Sequence, residues 1–294
     1  MLIKIITNII GKKLFFKEKS GQLNLLDIGC SNFVPNHFCK FDKYINYIGC
    51  DPDPIGLSKT ENFLKRKNFI SKQTYNVAAS DKTEDGFLYV PRKRTGSKVV
   101  KEKGKGTKDI KLVKTSELQD LFKESKANIL KIDCEGNEMK VIRGMNLENS
   151  SLLCIEVECT INKNEVNHIG QLINSLEKKD FFIASIRYHN EQTISDKTIK
   201  NKILMKVYYV LGLLGIIQIF DRWTNLSGAL EFNLNKSFLS QLEIIFIKRK
   251  EYVPKELIKK YYNCLIIFGF LRYLPNLKRL KPILRFIIKV FPSR

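Results

Sequence analysis

The chain of 294 residues is long enough for one large α/β core, or for one core with a small appendage. Its 44% hydrophobic and 28% charged content is that of a folded protein; seven cysteines without a CxxC pair, beside three scattered histidines, exclude a disulfide framework or zinc site and suit a reducing compartment. A net charge of +21 points to an anionic partner such as nucleic acid, a lipid headgroup or a phosphorylated substrate, although the general abundance of Lys, Ile and Asn accounts for part of it.

The opening "MLIKIITNIIGKKLFFKEK" is apolar and then basic, the reverse of a secretory signal, and predicts a short amphipathic helix within 1–22 and no export. From about residue 23 to 190, apolar runs alternate with helical phrases, the pattern of a parallel sheet with crossover helices. Strands are predicted at 23–29, 46–51, 74–80, 127–133 and 152–158. Helices are predicted in "GLSKTENFLKRKN", "TSELQDLFKES", "GNEMKVIRG" and "NEVNHIGQLINSLEKK", the second opening on a capping box at Thr115 or Ser116. The stretch "PRKRTGSKVVKEKGKGTKD" (91–109) has almost no apolar content and reads as a mobile basic loop that orders over a bound anion.

Two further strands are predicted at 181–189 and 242–249. The insertion between them, 190–242, contains "ILMKVYYVLGLLGIIQIF" (203–220), close in length to a membrane span but interrupted by Lys206 and Gln218. If its flanking strands share one sheet, a single crossing is topologically excluded, so it reads as a buried or interfacial helix. The tail over 250–294 holds 11 Lys+Arg against two Glu, interleaved with apolar runs. It suits either an anionic membrane surface or packing on the core or on a partner.

Candidate chemistry gathers at strand ends. Asp27, Gly29, Cys30 and Ser31 close the first strand, where a glycine lets the backbone turn tightly and approach a ligand. About 20 residues on, the next strand ends in Asp51, the position of a ribose-binding acid in such folds, although "DPDP" is also turn chemistry. The run "ILKIDCEGNEMKVIRG" (129–144) places Asp133, Glu135 and Glu138 where a buried strand meets a helix. Period-2 alternation sets Lys131, Asp133 and Glu135 on one side of that strand. Carboxylates there can attract a cation, orient a hydroxyl or take its proton; beside a helix N-terminus, Glu135 and Glu138 also answer its dipole. Close carboxylates, with Glu156 and Glu158 nearby, are a further metal-binding pattern, but no metal is expected from spacing alone. His37, His168 and His189 each stand without a catalytic partner visible in sequence.

The landmarks "LLDIGC" (25–30), "IGCDPDP" (48–54), "NVAASD" (76–81), "LKIDCEGNEMKVIRGM" (130–145) and "CIEVE" (154–158) resemble, in order and spacing, the FkbM family of S-adenosylmethionine-dependent methyltransferases. The resemblance covers about 23–190, with "LEIIFIKR" as closing strand, and lacks a second glycine after Gly29. It implies a class I methyltransferase fold, a doubly wound Rossmann-like sheet ending in an antiparallel strand, over 23–249. It also implies that Gly29 and neighbouring backbone, with Asp27, Cys30 and Ser31, hold the methionine part of the cofactor. Asp51 would take the ribose hydroxyls, and Ala79, Ser80 and Asp81 would border the adenine. Asp133, Glu135 and Glu138 are the candidate catalytic residues. The expected activity is O-methylation of a sugar, glycan or other polyhydroxylated metabolite, cytoplasmic or peripheral on the inner face of a membrane. A nucleic-acid methyltransferase and a catalytically silent membrane scaffold are the rivals; no "NPPY"-type motif or RNA-binding module supports the first.

Overall fold

The structure is a computed structural model that describes residues 22–91, 97–122, 126–145, 147, 151–161, 166–189 and 240–268. Seven strands form the main sheet: β1 (Leu23–Ile28), β2 (Ile45–Cys50), β3 (Ser71–Tyr75), β8 (Ile129–Ile132), β9 (Cys154–Ile161), β10 (Phe181–His189) and β11 (Ser240–Lys248). Their order is β10-β11-β9-β8-β1-β2-β3. Neighbours from β3 to β9 run parallel, while β11 is antiparallel to both β9 and β10. This is the doubly wound sheet with an antiparallel last strand in sequence that the alternating pattern and the resemblance imply.

Period-2 alternation gives each central strand two faces, and each face has its own core. Leu26, Ile28, Leu130, Ile132, Ile155 and Val157 pack on one side against α3 (Thr115–Gln119), α4 (Glu138–Arg143) and α5 (Val166–Glu177). Leu23, Leu25, Ile129 and Cys154 face the other side with α1 (Asn36–Cys39), α2 (Pro54–Leu64) and α6 (Ile258–Phe268). Tyr261, Cys264, Ile267 and Phe268 of α6 are buried there, so this part of the basic tail belongs to the core. The packing alternative is the one the described part adopts.

The run over 74–80 is not one strand. The chain turns at Val77, whose N–H donates to Tyr75 O, and Asn76 Nδ2 donates to Asp51 O. Residues Ala78–Ser80 then start a second sheet as β4, with β5 (Glu84–Tyr89), β6 (Lys98–Val100) and β7 (Thr107–Lys114) in the order β4-β7-β5-β6. Within the basic stretch 91–109, Lys98–Val100 and residues 107–109 are therefore strand, with the turn 101–106 between them. Tyr89 pairs with Lys98 and Thr107, and the few apolar residues of this sheet, such as Leu88 and Leu112, suffice to bury one side. Residues 92–96 lie outside the described part.

The capping box is not formed either. Lys114 stands at the N-cap of α3 without a side-chain bond; Thr115 Oγ1 donates instead to Ser80 O, and Glu117 accepts from Thr83. The expected N-terminal helix, nearly all of the insertion over 190–242 and the tail after Phe268 lie outside the described residues.

Candidate active site

The carboxyl ends of β2, β1, β8 and β9 lie side by side. At the end of β1, Gly29 adopts φ +79°, and a Cβ built on it would stand 1.7 Å from Asp133 O. No other residue fits there: the backbone is left-handed and the next strand presses against it. The following loop is fastened to α2. Asn32 N–H donates to Gly56 O, the Thr60 hydroxyl donates to Cys30 O, and a Cβ at Gly56 would meet Ser31 Oγ. Asn32 itself has φ +75°. This second left-handed backbone position is carried by a residue whose short polar side chain tolerates it.

Asp51 ends β2 and is 7% exposed. Its Oδ1 accepts the Asp53 N–H at 2.8 Å; Oδ2 has no hydrogen-bond partner among the described residues. Burial pushes its carboxyl up to about 6, with Asp53, Asp27 and Asp133 adding to the rise and the Asp53 N–H opposing it. Asp53 caps α2 through Ile55 N. Ala79 and Ser80 are buried on β4, where Ala79 O accepts from Asn137 Nδ2 and Ser80 O from Thr115; Asp81, half-buried beyond them, accepts from Ser80 Oγ.

One row of charge crosses the sheet on the α1–α2–α6 side. The register sets Asp27 beside Lys131, and Lys131 beside Glu156. Asp27 is fully buried; Tyr47 donates to its Oδ2 at 3.0 Å, and Lys131 Nζ stands 3.5 Å from Oδ1. That is ion-pair rather than hydrogen-bond range, and Oδ1 has no hydrogen bond. Burial raises the Asp27 carboxyl, outweighing the nearby ammonium. Burial alone would lower Lys131, but Asp133, Asp27 and Glu156 together hold it above its ordinary value. Lys131 is therefore a fixed cation among three acids.

Lys131 Nζ also donates to Asp133 Oδ2 at 3.1 Å. The Asp133 side chain is 31% exposed, and Oδ1 has no partner among the described residues. One oxygen is held from below while the other borders solvent. At the far end of the row, His37 Nε2 and Glu156 Oε2 are 2.9 Å apart. Sequence reading left His37 alone because 119 positions separate it from Glu156; nothing short of the strand register brings them together.

The three acids of 133–138 do not act as a set. The strand ends at Ile132, and Glu135 and Gly136 adopt φ +49° and +97°, which breaks the alternation expected to align Glu135 with Asp133. Glu138 turns back so that Oε1 accepts the Gly136 N–H at 2.8 Å. It lines a small cleft with Met139, Cys159, His168, Ile169 and Leu172, on the α5 side of the sheet. The structure brings Asp27, Gly29, Asp51 and Asp133 together and sends Glu138 elsewhere.

Compared with known families, residues 27–183 match the methyltransferase FkbM domain. The chain belongs to this family. The FkbM match begins at Asp27 and takes in Asp51, Asp133, Glu138 and Glu156. The hexuronic acid methyltransferase AglP of Haloferax volcanii is 24% identical over 160 residues, which are 53% of this chain and 65% of that protein. The aligned part thus spans less than two thirds of that relative. Among solved structures, the methyltransferases of Geobacter sulfurreducens and Thiobacillus denitrificans, both with S-adenosyl-L-homocysteine, are 8% identical. Each covers 84% of this chain and 98% of its own, at TM-scores of 0.38 and 0.37, a loose likeness. Among the described residues, no cluster of His, Cys, Asp and Glu is grouped to hold a metal ion, and no helix is long and apolar enough to cross a membrane.

Proposed function

We propose that this FkbM-family chain transfers a methyl group from S-adenosylmethionine to a hydroxyl of a sugar, glycan or related polyhydroxylated acceptor. The observation that carries the reading is the cradle at Gly29, flanked by Asp51 on one side and Asp133 on the other. Gly29 lies so close to Asp133 O that no side chain fits there, and a carboxylate oxygen of each neighbour is without a protein partner among the described residues. Such a strand-end edge suits a ligand with ribose hydroxyls at one end and a positive charge at the other. S-adenosylmethionine supplies, when bound, a methyl group activated on a positively charged sulfur.

The chain's own residues then divide the work. Gly29, with the backbone of Cys30 and Ser31, holds the methionine part, and Asp27 beneath it contributes negative charge. Asp51 accepts from the ribose hydroxyls through Oδ2, and Ala79 to Asp81 border the base. Asp133 offers Oδ1 to the reacting centre, its other oxygen fixed by Lys131. Glu135, in the turn just beyond, lies at the rim and helps orient the acceptor. Positioning of this kind supplies much of the rate of an in-line transfer. The sugar reading draws support from the hexuronic acid acceptor in the relative's name. Attachment of that acceptor to a membrane draws support only from the basic excess of 250–294.

Calorimetric titration of the full chain with S-adenosylmethionine tests the site. Wild type binds, Asp51→Ala loses at least tenfold in affinity, and Asp133→Asn retains most of it. Absence of binding by wild type would sink the reading and return the silent scaffold to first place.

A further inference from the structure

The acceptor side of the sheet's edge has a base that the sequence motifs do not announce. We propose that His37, its tautomer set by Glu156, takes the proton of the acceptor hydroxyl. This rests on the methyl-transfer reading above and names the residue that completes it.

The argument starts from order across the sheet. From β3 toward β9, the edge presents Asp51, then Gly29, then Asp133; Glu156 stands one step below it, level with Lys131 and Asp27, and there meets His37 of α1. If the cofactor spans Asp51 to Asp133, the next place along the edge is where an acceptor meets the transferable methyl. The groups there differ in what they can do. Asp27 lies fully buried, Lys131 is held as a cation, Asp133 has one oxygen held under Lys131, and Glu138 faces the opposite side. A carboxylate is a weak base toward an alkyl hydroxyl; an imidazole is the stronger one near neutral pH.

His37 is also set up for the task. Its side chain is 12% exposed, and its ring lies against Phe38 at 4.1 Å and Phe268 at 5.6 Å between centroids. Those apolar rings come from α1 and α6. The charged groups facing it come from the sheet: Glu156 directly, with Lys131, Asp27 and Asp133 behind it. The contact between Nε2 and a Glu156 oxygen fits the tautomer with its proton on Nε2, which leaves the lone pair on Nδ1. Among the described residues Nδ1 has no hydrogen-bond partner. The step balances simply. The acceptor O–H proton passes to Nδ1 as the oxygen's electron pair forms the bond to the methyl carbon. The carbon–sulfur bond breaks with its pair kept on sulfur, which becomes a neutral thioether. The imidazolium then returns its proton to solvent.

The test reads nitrogen signals of the full-length chain labelled with ¹⁵N-histidine at pH 8. There are three histidines, each assigned by its Gln variant. His37 shows an unprotonated Nδ1, and saturating S-adenosylmethionine shifts its signals more than S-adenosylhomocysteine does, because only the former carries charge beside it. His168, on the α5 side, stays unmoved. Glu156→Gln releases the tautomer so that both forms are populated, and Glu156→Asp restores it, whereas a purely structural contact would show no response to cofactor charge. A proton found on Nδ1 overturns the proposal, as do His37 signals that ignore cofactor shown by calorimetry to be bound. If calorimetry shows no binding at all, the methyl-transfer reading falls first and this proposal with it.

Discussion

The two faces of β1, β8 and β9 are made by the same three strands and could hardly differ more. On the α3–α4–α5 side, Leu26, Ile28, Leu130, Ile132, Ile155 and Val157 are almost fully buried without a polar atom among them. On the other side, at the same height, Asp27, Lys131 and Glu156 form a charged row under the candidate site. Each fully buried aliphatic side chain contributes roughly 1.5–3 kcal/mol. Charges in a row contribute little net and cost heavily when one partner is missing. One face therefore supplies stability, and the other uses it to hold ions where water cannot easily reach. Substitutions on the two faces should fail in different ways.

The largest effect is expected at Lys131. Lys131→Ala leaves Asp27, Asp133 and Glu156 without their cation and should destabilise the chain by about 3–5 kcal/mol. Leu130→Ala, one residue away on the apolar face, should cost about 2–5 kcal/mol. Magnitude alone does not separate them, but pH does. Without Lys131, the Asp27 carboxyl, already raised by burial, rises further, and a raised carboxyl makes the native state hold its proton more tightly. Stability of Lys131→Ala should therefore fall as pH rises from 5 to 8. Denaturant titrations of Leu130→Ala over that range should track wild type. If Lys131→Ala also tracked wild type over that range, the row would not be ionised as described.

A smaller effect with the opposite sign is expected at Asp51. Its carboxyl is raised from 3.8 to about 6 by burial, so the native state binds the proton more tightly than the unfolded chain. Stability is then lost as pH rises through that window, roughly 2–3 kcal/mol at 1.36 kcal/mol per unit. Asp51→Asn removes this cost and should be more stable than wild type by about 2 kcal/mol at pH 8, with the difference vanishing toward pH 4. It should also bind S-adenosylmethionine at least tenfold more weakly. Wild-type affinity should drop below pH 6, where Asp51 takes up a proton and stops accepting from hydroxyls. A variant that gains stability and loses ligand would mark Asp51 as a residue kept for binding.

Much of the apolar face was legible in the sequence and much of the charged face was not. Runs such as "LLDIG" and "LCIEVE" announce buried strands because parallel strands are covered on both sides. The residues at their ends, Gly29, Asp51 and Asp133, were equally plain because ligands meet such sheets at their carboxyl edge. What alternation along one strand cannot give is register between strands. Asp27, Lys131, Glu156 and His37 become neighbours only through pairings across 25 to 119 positions. The second sheet was missed for another reason. Strands β6 and β7 expose one side to water, and their lysines hid the few apolar residues on which a strand prediction depends. Glu135 was misaligned because a positive φ at one residue cancels the alternation beyond it.

The smallest effect tests whether the three acids of the β8 turn divide as the faces do. Glu138 accepts the Gly136 N–H on the α5 side, closing a turn that contains two consecutive positive φ values. Glu138→Gln keeps an acceptor oxygen and loses only the charge that strengthens this bond and meets the dipole of α4. It should cost about 0.5–1 kcal/mol in a denaturant titration. S-adenosylmethionine binding should be unchanged, since nothing places Glu138 on the Gly29 side. Asp133→Asn, five residues earlier, should show the reverse pattern. Its buried neighbour Lys131 keeps Asp27 and Glu156 as counter-charges, so stability changes little, while the oxygen offered to the reacting centre loses its charge and methyl transfer falls at least tenfold. If Glu138→Gln instead weakened cofactor binding as strongly as Asp51→Asn, the turn would have to open on binding, and the two faces would not act separately.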